Sequence, residues 1–182
     1  SQIVVSTGAK QSLANTFLAI LNPGDEVIVP TPYWVSYPEL IKLADGKPVF
    51  VKSDEKSDYK FTKENLENVV SDKTKAIVLN TPNNPTGTIY SADELKVIAN
   101  FAKEHDLIIV SDEMYEKLIY DGEKHISIAS ISQDAYERTI VINGLSKSYA
   151  MTGWRIGYCG ASEKIAKLMT SIQSHVTSNV CS

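Results

Sequence analysis

Short aliphatic runs punctuate the chain: Val27-Ile28-Val29, Val49-Phe50-Val51, Ala76-Ile77-Val78-Leu79, Leu107-Ile108-Ile109-Val110 and Ile140-Val141-Ile142. They are continuous rather than alternating, the pattern of strands covered on both faces of a mostly parallel sheet. Segments of helical period lie between them. Ser91-Ala92-Asp93-Glu94 reads as a capping box ahead of an apolar face made by Leu95, Ile98, Ala99 and Ala102. Ser162 is placed as the N-cap of a helix whose stripe is Ile165, Leu168, Met169 and Ile172. An earlier helix begins near Ala9 and ends at Asn22-Pro23-Gly24, where Pro and Gly cannot continue it. Strand–helix alternation over the whole length predicts a three-layer α/β fold, which by itself specifies no chemistry.

A length of 182 residues suits one domain with a real core. Hydrophobic residues make up 43% and charged residues 22%, which excludes disordered and collagen-like classes. The net charge of −4 gives no bulk electrostatic support for binding nucleic acid or an anionic membrane. No apolar run approaches membrane-spanning length. Ser1 is followed at once by Gln2-Ile3-Val4-Val5, with no initiator Met, basic start or signal core, so the chain is expected to be a piece of a longer protein. Two cysteines, Cys159 and Cys181, are too few for a disulfide framework and fit a reducing compartment, the cytoplasm. Cys159, on an expected strand after Ile156-Gly157-Tyr158, is read as buried and inert. His105, His125 and His175 are scattered without zinc spacing, so no metal site is expected. No nucleotide-binding glycine motif occurs, and Pro85 excludes Asn84 as a glycosylation acceptor.

In open α/β sheets, ligands bind beyond the carboxyl ends of the strands. Four expected strand ends are followed by chemically distinctive residues: Pro30-Thr31-Pro32-Tyr33-Trp34, Asn80-Thr81-Pro82-Asn83-Asn84-Pro85-Thr86-Gly87, Ser111-Asp112-Glu113-Met114-Tyr115 and Asn143-Gly144-Leu145-Ser146-Lys147-Ser148-Tyr149. Each has a bland explanation on its own. The Pro-Asn-Asn-Pro-Thr-Gly run is turn chemistry, Asp112 a cap, Trp34 a core residue, and Lys147 and Arg155 surface cations. Together they bring an amide cluster, a carboxylate, a lysine and an aromatic to one edge, and that is a site-shaped set.

These motifs, with Ser146-Lys147-Ser148-Tyr149-Ala150-Met151-Thr152-Gly153-Trp154-Arg155-Ile156-Gly157, resemble in order and spacing the class I aminotransferases, fold-type I pyridoxal-phosphate enzymes, and among them the bacterial aspartate aminotransferases. The resemblance covers essentially the whole chain, residues 1–182, as the large cofactor-binding domain: three-layer α/β/α with a mostly parallel mixed sheet. It implies that Lys147 forms the Schiff base with pyridoxal 5'-phosphate and then moves a proton at the substrate α-carbon. Asp112 would pair with the pyridine nitrogen, keeping the ring an electron sink. Asn84 and Tyr115 would hydrogen-bond the ring's phenolate oxygen. Trp34 would stack on the ring and, with Asn84, face the substrate. Tyr37 would stand behind Asp112. Gly8, Ala9 and Lys10, opening a helix, would cradle the phosphate with Ser146 and Arg155. Gly144 departs from relatives that carry Ser there, so one phosphate contact is expected to be missing.

The resemblance further implies small-molecule amino acid and 2-oxo acid substrates, most closely aspartate and 2-oxoglutarate, and a homodimer in a longer parent. The parent's N-terminal segment and C-terminal small domain are expected to lie outside this chain. Without them, cofactor binding with little turnover is expected, as is apolar surface near Met151 and Trp154 left uncovered. Competing readings are aromatic, prephenate, alanine or glutamate specificity, a pyridoxal-phosphate-binding sensory domain of a transcription regulator, and a β-eliminating lyase on the same scaffold.

Overall fold

The computed structural model describes residues 1–180; Cys181 lies outside the described residues. Seven strands form one sheet: β1 (Ile3–Thr7), β2 (Glu26–Thr31), β3 (Lys47–Lys52), β4 (Thr74–Asn80), β5 (Ile108–Asp112), β6 (Thr139–Gly144) and β7 (Ile156–Gly160). Their order across the sheet is β1-β7-β6-β5-β4-β2-β3. Only β7 is reversed, pairing antiparallel with both β1 and β6. Six helices cover the faces: α1 (Ala9–Ile20), α2 (Ser36–Leu43), α3 (Lys63–Glu67), α4 (Ala92–Glu104), α5 (Gln133–Arg138) and α6 (Glu163–Val176).

Alternate side chains of the central strands enter two separate cores, as the pleat requires. Val27, Val29, Ala76, Val78, Val110, Ile140 and Ile142 pack with α1, α2 and α6 on one face. Ile28, Ile77, Leu79 and Ile109 pack with Leu66 of α3, the apolar face of α4 and Ala135 of α5 on the other. The layering is therefore α/β/α, as the aliphatic runs predict. The expected capping box is present: Ser91 Oγ accepts from the Glu94 N–H, and the Glu94 carboxylate accepts from the Ser91 N–H. Ser162 caps α6, and α1 has its expected ends. Cys159 is buried, and burial pushes its thiol up to about 11.

Three expectations are corrected. The β3 run is not covered on both faces; it is an edge strand, with Phe50 42% exposed and stacked on Tyr33. The buried stripe of α6 is Ala166, Met169 and Gln173, while Leu168 faces out. Gln173 is drawn inward because its Oε1 accepts from Ser6 and Asn15 and its Nε2 donates to the Val5 carbonyl. Finally, Ile3-Val4-Val5, taken above only as lacking a signal core, is the edge strand β1. No helix among the described residues is long and apolar enough to cross a membrane.

Candidate active site

The carboxyl ends of β1, β2, β4, β5 and β6 all open on one edge of the sheet. Because β7 alone runs the other way, its first residue is delivered to that same edge, and Arg155 just before it arrives there too. The convergence creates a cavity of about 270 Å³ lined by Ala9, Lys10, Trp34, Asn84, Asp112, Tyr115, Ser146, Lys147 and Arg155, with Leu13, Tyr37, Asn80, Met114 and Thr152 completing its walls. Residues scattered from position 9 to position 155 thus meet in one place. Of the expected set only Gly8 is not on the wall itself; it is the N-cap of α1, immediately beside it.

Asp112 is 6% exposed at the end of β5. Its Oδ2 accepts from the Tyr37 hydroxyl at 2.6 Å and its Oδ1 from the Met114 N–H at 3.2 Å. Burial raises its carboxyl above the usual range, while those two donors pull it back down. Burial, and the Asp112 charge beside it, hold the Tyr37 phenol well above its ordinary value, so Tyr37 stays a donor. Asn80, opposite Asp112 in the ladder, ties the neighbouring strand end to it. Asn80 Nδ2 donates to the Asp112 carbonyl at 2.9 Å, and Asn80 Oδ1 accepts from the Asn84 N–H at 2.7 Å. Asn84 Nδ2 in turn reaches the Tyr115 hydroxyl at 3.4 Å. The Tyr115 phenol is raised by burial first and by the Asp112 charge second.

The opposite wall is cationic. Gly8 has φ 81°, and a Cβ there would collide with the Arg155 guanidinium, so the missing side chain is what lets the arginine lie on the start of α1. Arg155 Nη1 also donates to the Thr152 carbonyl at 3.0 Å. The Gly8 N–H is already used by the Ser6 carbonyl at 2.8 Å, which corrects its expected part as a free donor. The Ala9 and Lys10 N–H groups have no partner among the described residues and form the positive end of α1. Gly157 has a matching purpose: a Cβ there would strike the backbone of Gly8 and Ala9. Neither Lys10, Lys147 nor Arg155 forms an ion pair among the described residues. The Lys10 ammonium instead lies 5.0 Å from the centroid of the Trp34 ring, and Tyr37 meets that indole edge-on at 5.4 Å. At Gly144 a Cβ would press on the Ile156 carbonyl and Met114, so this position has no room for a side chain.

Sequence reasoning left Asn80, Leu13, Met114 and Thr152 without a role. Asn80 had a usable signal: an amide ending a fully apolar strand and bracketing a Pro-rich turn.

An α/β/α domain with a carboxylate and an amine at one sheet edge and a cationic helix end beside them has the form of a site for an anionic, ring-bearing ligand. The family model for aminotransferase class I and II matches residues 1–182, and the chain belongs to that family. It is 56% identical to aspartate aminotransferase of Bacillus subtilis over 98% of its length, and 52% identical to asparagine–oxo-acid transaminase of Streptococcus mutans. It spans about half the length of these relatives, 46% of each. The crystal structure of an aromatic aminotransferase from Pyrococcus horikoshii superposes on 99% of the chain with a TM-score of 0.96 at 43% identity, the match covering 48% of that structure.

Proposed function

We propose that the whole protein containing this chain transfers an amino group between aspartate and 2-oxoglutarate with pyridoxal 5'-phosphate, and that residues 1–182 are its cofactor-binding large domain. The observation that carries this reading is the buried Asp112 carboxylate, held from behind by Tyr37, in the same cavity as the unpaired Lys147. The residues present fit the cofactor. A buried carboxylate suits a protonated pyridine nitrogen, an unpaired amine suits an aldehyde, and the free N–H groups of Ala9 and Lys10 with the Arg155 fork suit a phosphate dianion. When bound, pyridoxal phosphate supplies an electron sink for the substrate's α-carbon.

Each side chain then has a defined task. Lys147 would hold the cofactor's aldehyde through its amine and would serve as the base at the substrate's α-carbon. Asp112, kept in place by Tyr37, would hold the ring nitrogen. Asn84 and Tyr115 would hold the ring's oxygen. Trp34 forms the flat wall and, with Asn84, borders the substrate. Ser146, Arg155, Ala9 and Lys10 bind phosphate. The substrates are small molecules, and the whole protein works as a homodimer in the cytoplasm, as the resemblance implies. Aspartate specificity is supported by the Bacillus relative's name; the Pyrococcus protein's name favours an aromatic substrate as the second reading.

Titration of the protein with pyridoxal phosphate, followed by borohydride reduction and peptide mapping, tests the assignment. The expected result is a single label on Lys147 that disappears, with its absorbance band, in Lys147→Ala. A band that persists in that variant, or a label on another lysine, overturns it. Half-reactions of the full-length protein with aspartate and with phenylalanine separate the two specificities.

A further inference from the structure

Behind the cavity, a second carboxylate is buried more deeply than Asp112. Glu113 is 2% exposed. Its Oε1 accepts from the Ser111 hydroxyl at 2.9 Å and from the Ser127 hydroxyl at 2.7 Å, and its Oε2 lies 2.8 Å from His125 Nε2. Ser111 belongs to β5, whereas His125 and Ser127 come from the far end of segment 113–127, which contains no helix or strand. One side chain thus fastens the start of a long loop to its finish, the arrangement of an Ω-loop. The Glu113 N–H, donating to the Ile142 carbonyl at 2.9 Å, anchors the same residue to β6.

Glu113, Glu116 and His125 also present ligand atoms close enough together to suggest a cation site. Both Glu113 oxygens are already taken by donors, which is the signature of a hydrogen-bonded clasp. His125 Nδ1 is shut off from solvent and has no partner, so the ring hydrogen belongs on Nε2, where the Glu113 oxygen accepts it.

Tyr115 is two residues into this loop. Its carbonyl accepts from the Leu118 N–H at 2.8 Å and the Glu113 carbonyl from the Glu116 N–H at 3.0 Å, so the turn that carries the phenol springs directly from the clasp. A buried carboxylate stripped of donors is far costlier than the separate bonds suggest, which makes the closed form of the loop the only comfortable one. We infer that Glu113, with His125 and Ser127, is a positioning device that holds the Tyr115 hydroxyl against Asn84 and acts on the cofactor through that tyrosine. The last clause rests on the cavity's being the pyridoxal-phosphate site.

The test uses the full-length protein carrying Ser127→Ala, His125→Gln, Glu113→Gln or Glu113→Ala, with Tyr115→Phe as the reference. Without cofactor, hydrogen exchange of amides in 114–127 is expected to accelerate roughly tenfold or more in His125→Gln and Glu113→Ala, with the strands unchanged. With pyridoxal phosphate bound, the pH midpoint of the lysine-bound absorbance band should move in the direction set by Tyr115→Phe, with Glu113→Gln lying between wild type and Glu113→Ala. If Glu113→Ala does not fold, Ser127→Ala, His125→Gln and Glu113→Gln give the same readouts. Wild-type exchange together with a wild-type midpoint in His125→Gln and Ser127→Ala would overturn the inference, as would faster exchange with an unmoved midpoint. Failure of the cofactor reading shows separately, as the absence of a Lys147 label in the wild-type protein, and loop exchange then still decides the clasp.

Discussion

Asp112 holds a charge in a place that resists it, and the consequence can be measured without cofactor. Burial makes the native carboxyl bind its proton more tightly than the unfolded chain does, where an aspartate titrates near about 3.9. Between those two values the native state carries the extra proton, so stability falls as pH rises through the folded value and stays lower above it. Asp112→Asn removes this titration while keeping a donor and an acceptor for Tyr37 and Met114. Its stability relative to wild type should therefore climb as pH is raised from the acid side, and urea melts across that range check it; a constant difference would refute the assignment. Tyr37→Phe removes a bond that lowers the Asp112 carboxyl. It should weaken pyridoxal phosphate binding by about tenfold, the worth of one hydrogen bond to a charged group, read by fluorescence titration. Lys147, Asp112, Asn84, Tyr115, Trp34 and Arg155 were legible in the sequence because each follows or precedes a strand, and strand ends in such sheets are where ligands go. Glu113 and His125 were not: a histidine twelve positions away has meaning only once a loop has folded back on itself.

Elements were legible where local rules decide and illegible where distant partners do. The Ser91–Glu94 box is purely local, and Ser91→Ala should cost about 1 kcal/mol in chemical denaturation with pyridoxal phosphate affinity unchanged. The inward face of α6 is the opposite case. An apolar count puts Leu168 inside and Gln173 outside, yet Ser6 and Asn15 offer hydrogen bonds and the Val5 carbonyl needs one, a combination that an amide meets. Gln173→Leu would strand those groups and the Val5 carbonyl, a loss of about 3 kcal/mol in the same assay. A stability equal to wild type would mean that water replaces the amide. The strand β1 escaped notice although its run is as long as those of β2, β3 and β6; its pairing with β7, about 150 positions away, is what defines it.

At the scale of the molecule, one reversed strand decides where the cations sit. Had β7 run parallel to its neighbours, Arg155 would have emerged at the far edge of the sheet, away from Asp112 and Lys147. The join is tight: Gly157→Ala pushes a methyl into the backbone of Gly8 and Ala9. That change should cost about 1–3 kcal/mol and weaken pyridoxal phosphate binding more than binding of phosphate-free pyridoxal. Equal losses for both ligands would argue that the start of α1 does not hold phosphate. Around the cavity, Val35, Tyr149 and Trp154 are each more than half exposed, whereas Met151, also expected to be uncovered, is half-buried.

The same pairing sets an order of events during synthesis. β1 leaves the ribosome roughly 150 residues ahead of β7, its only neighbour in the sheet among the described residues. At the usual pace of translation, about 5–20 residues per second, it waits unpaired for about 7 to 30 seconds. Through that interval Val4, the one of the three apolar residues Ile3, Val4 and Val5 that the fold buries, lacks its final cover. The start of α1 is therefore made early, while Arg155, which lies on it at Gly8, is made late.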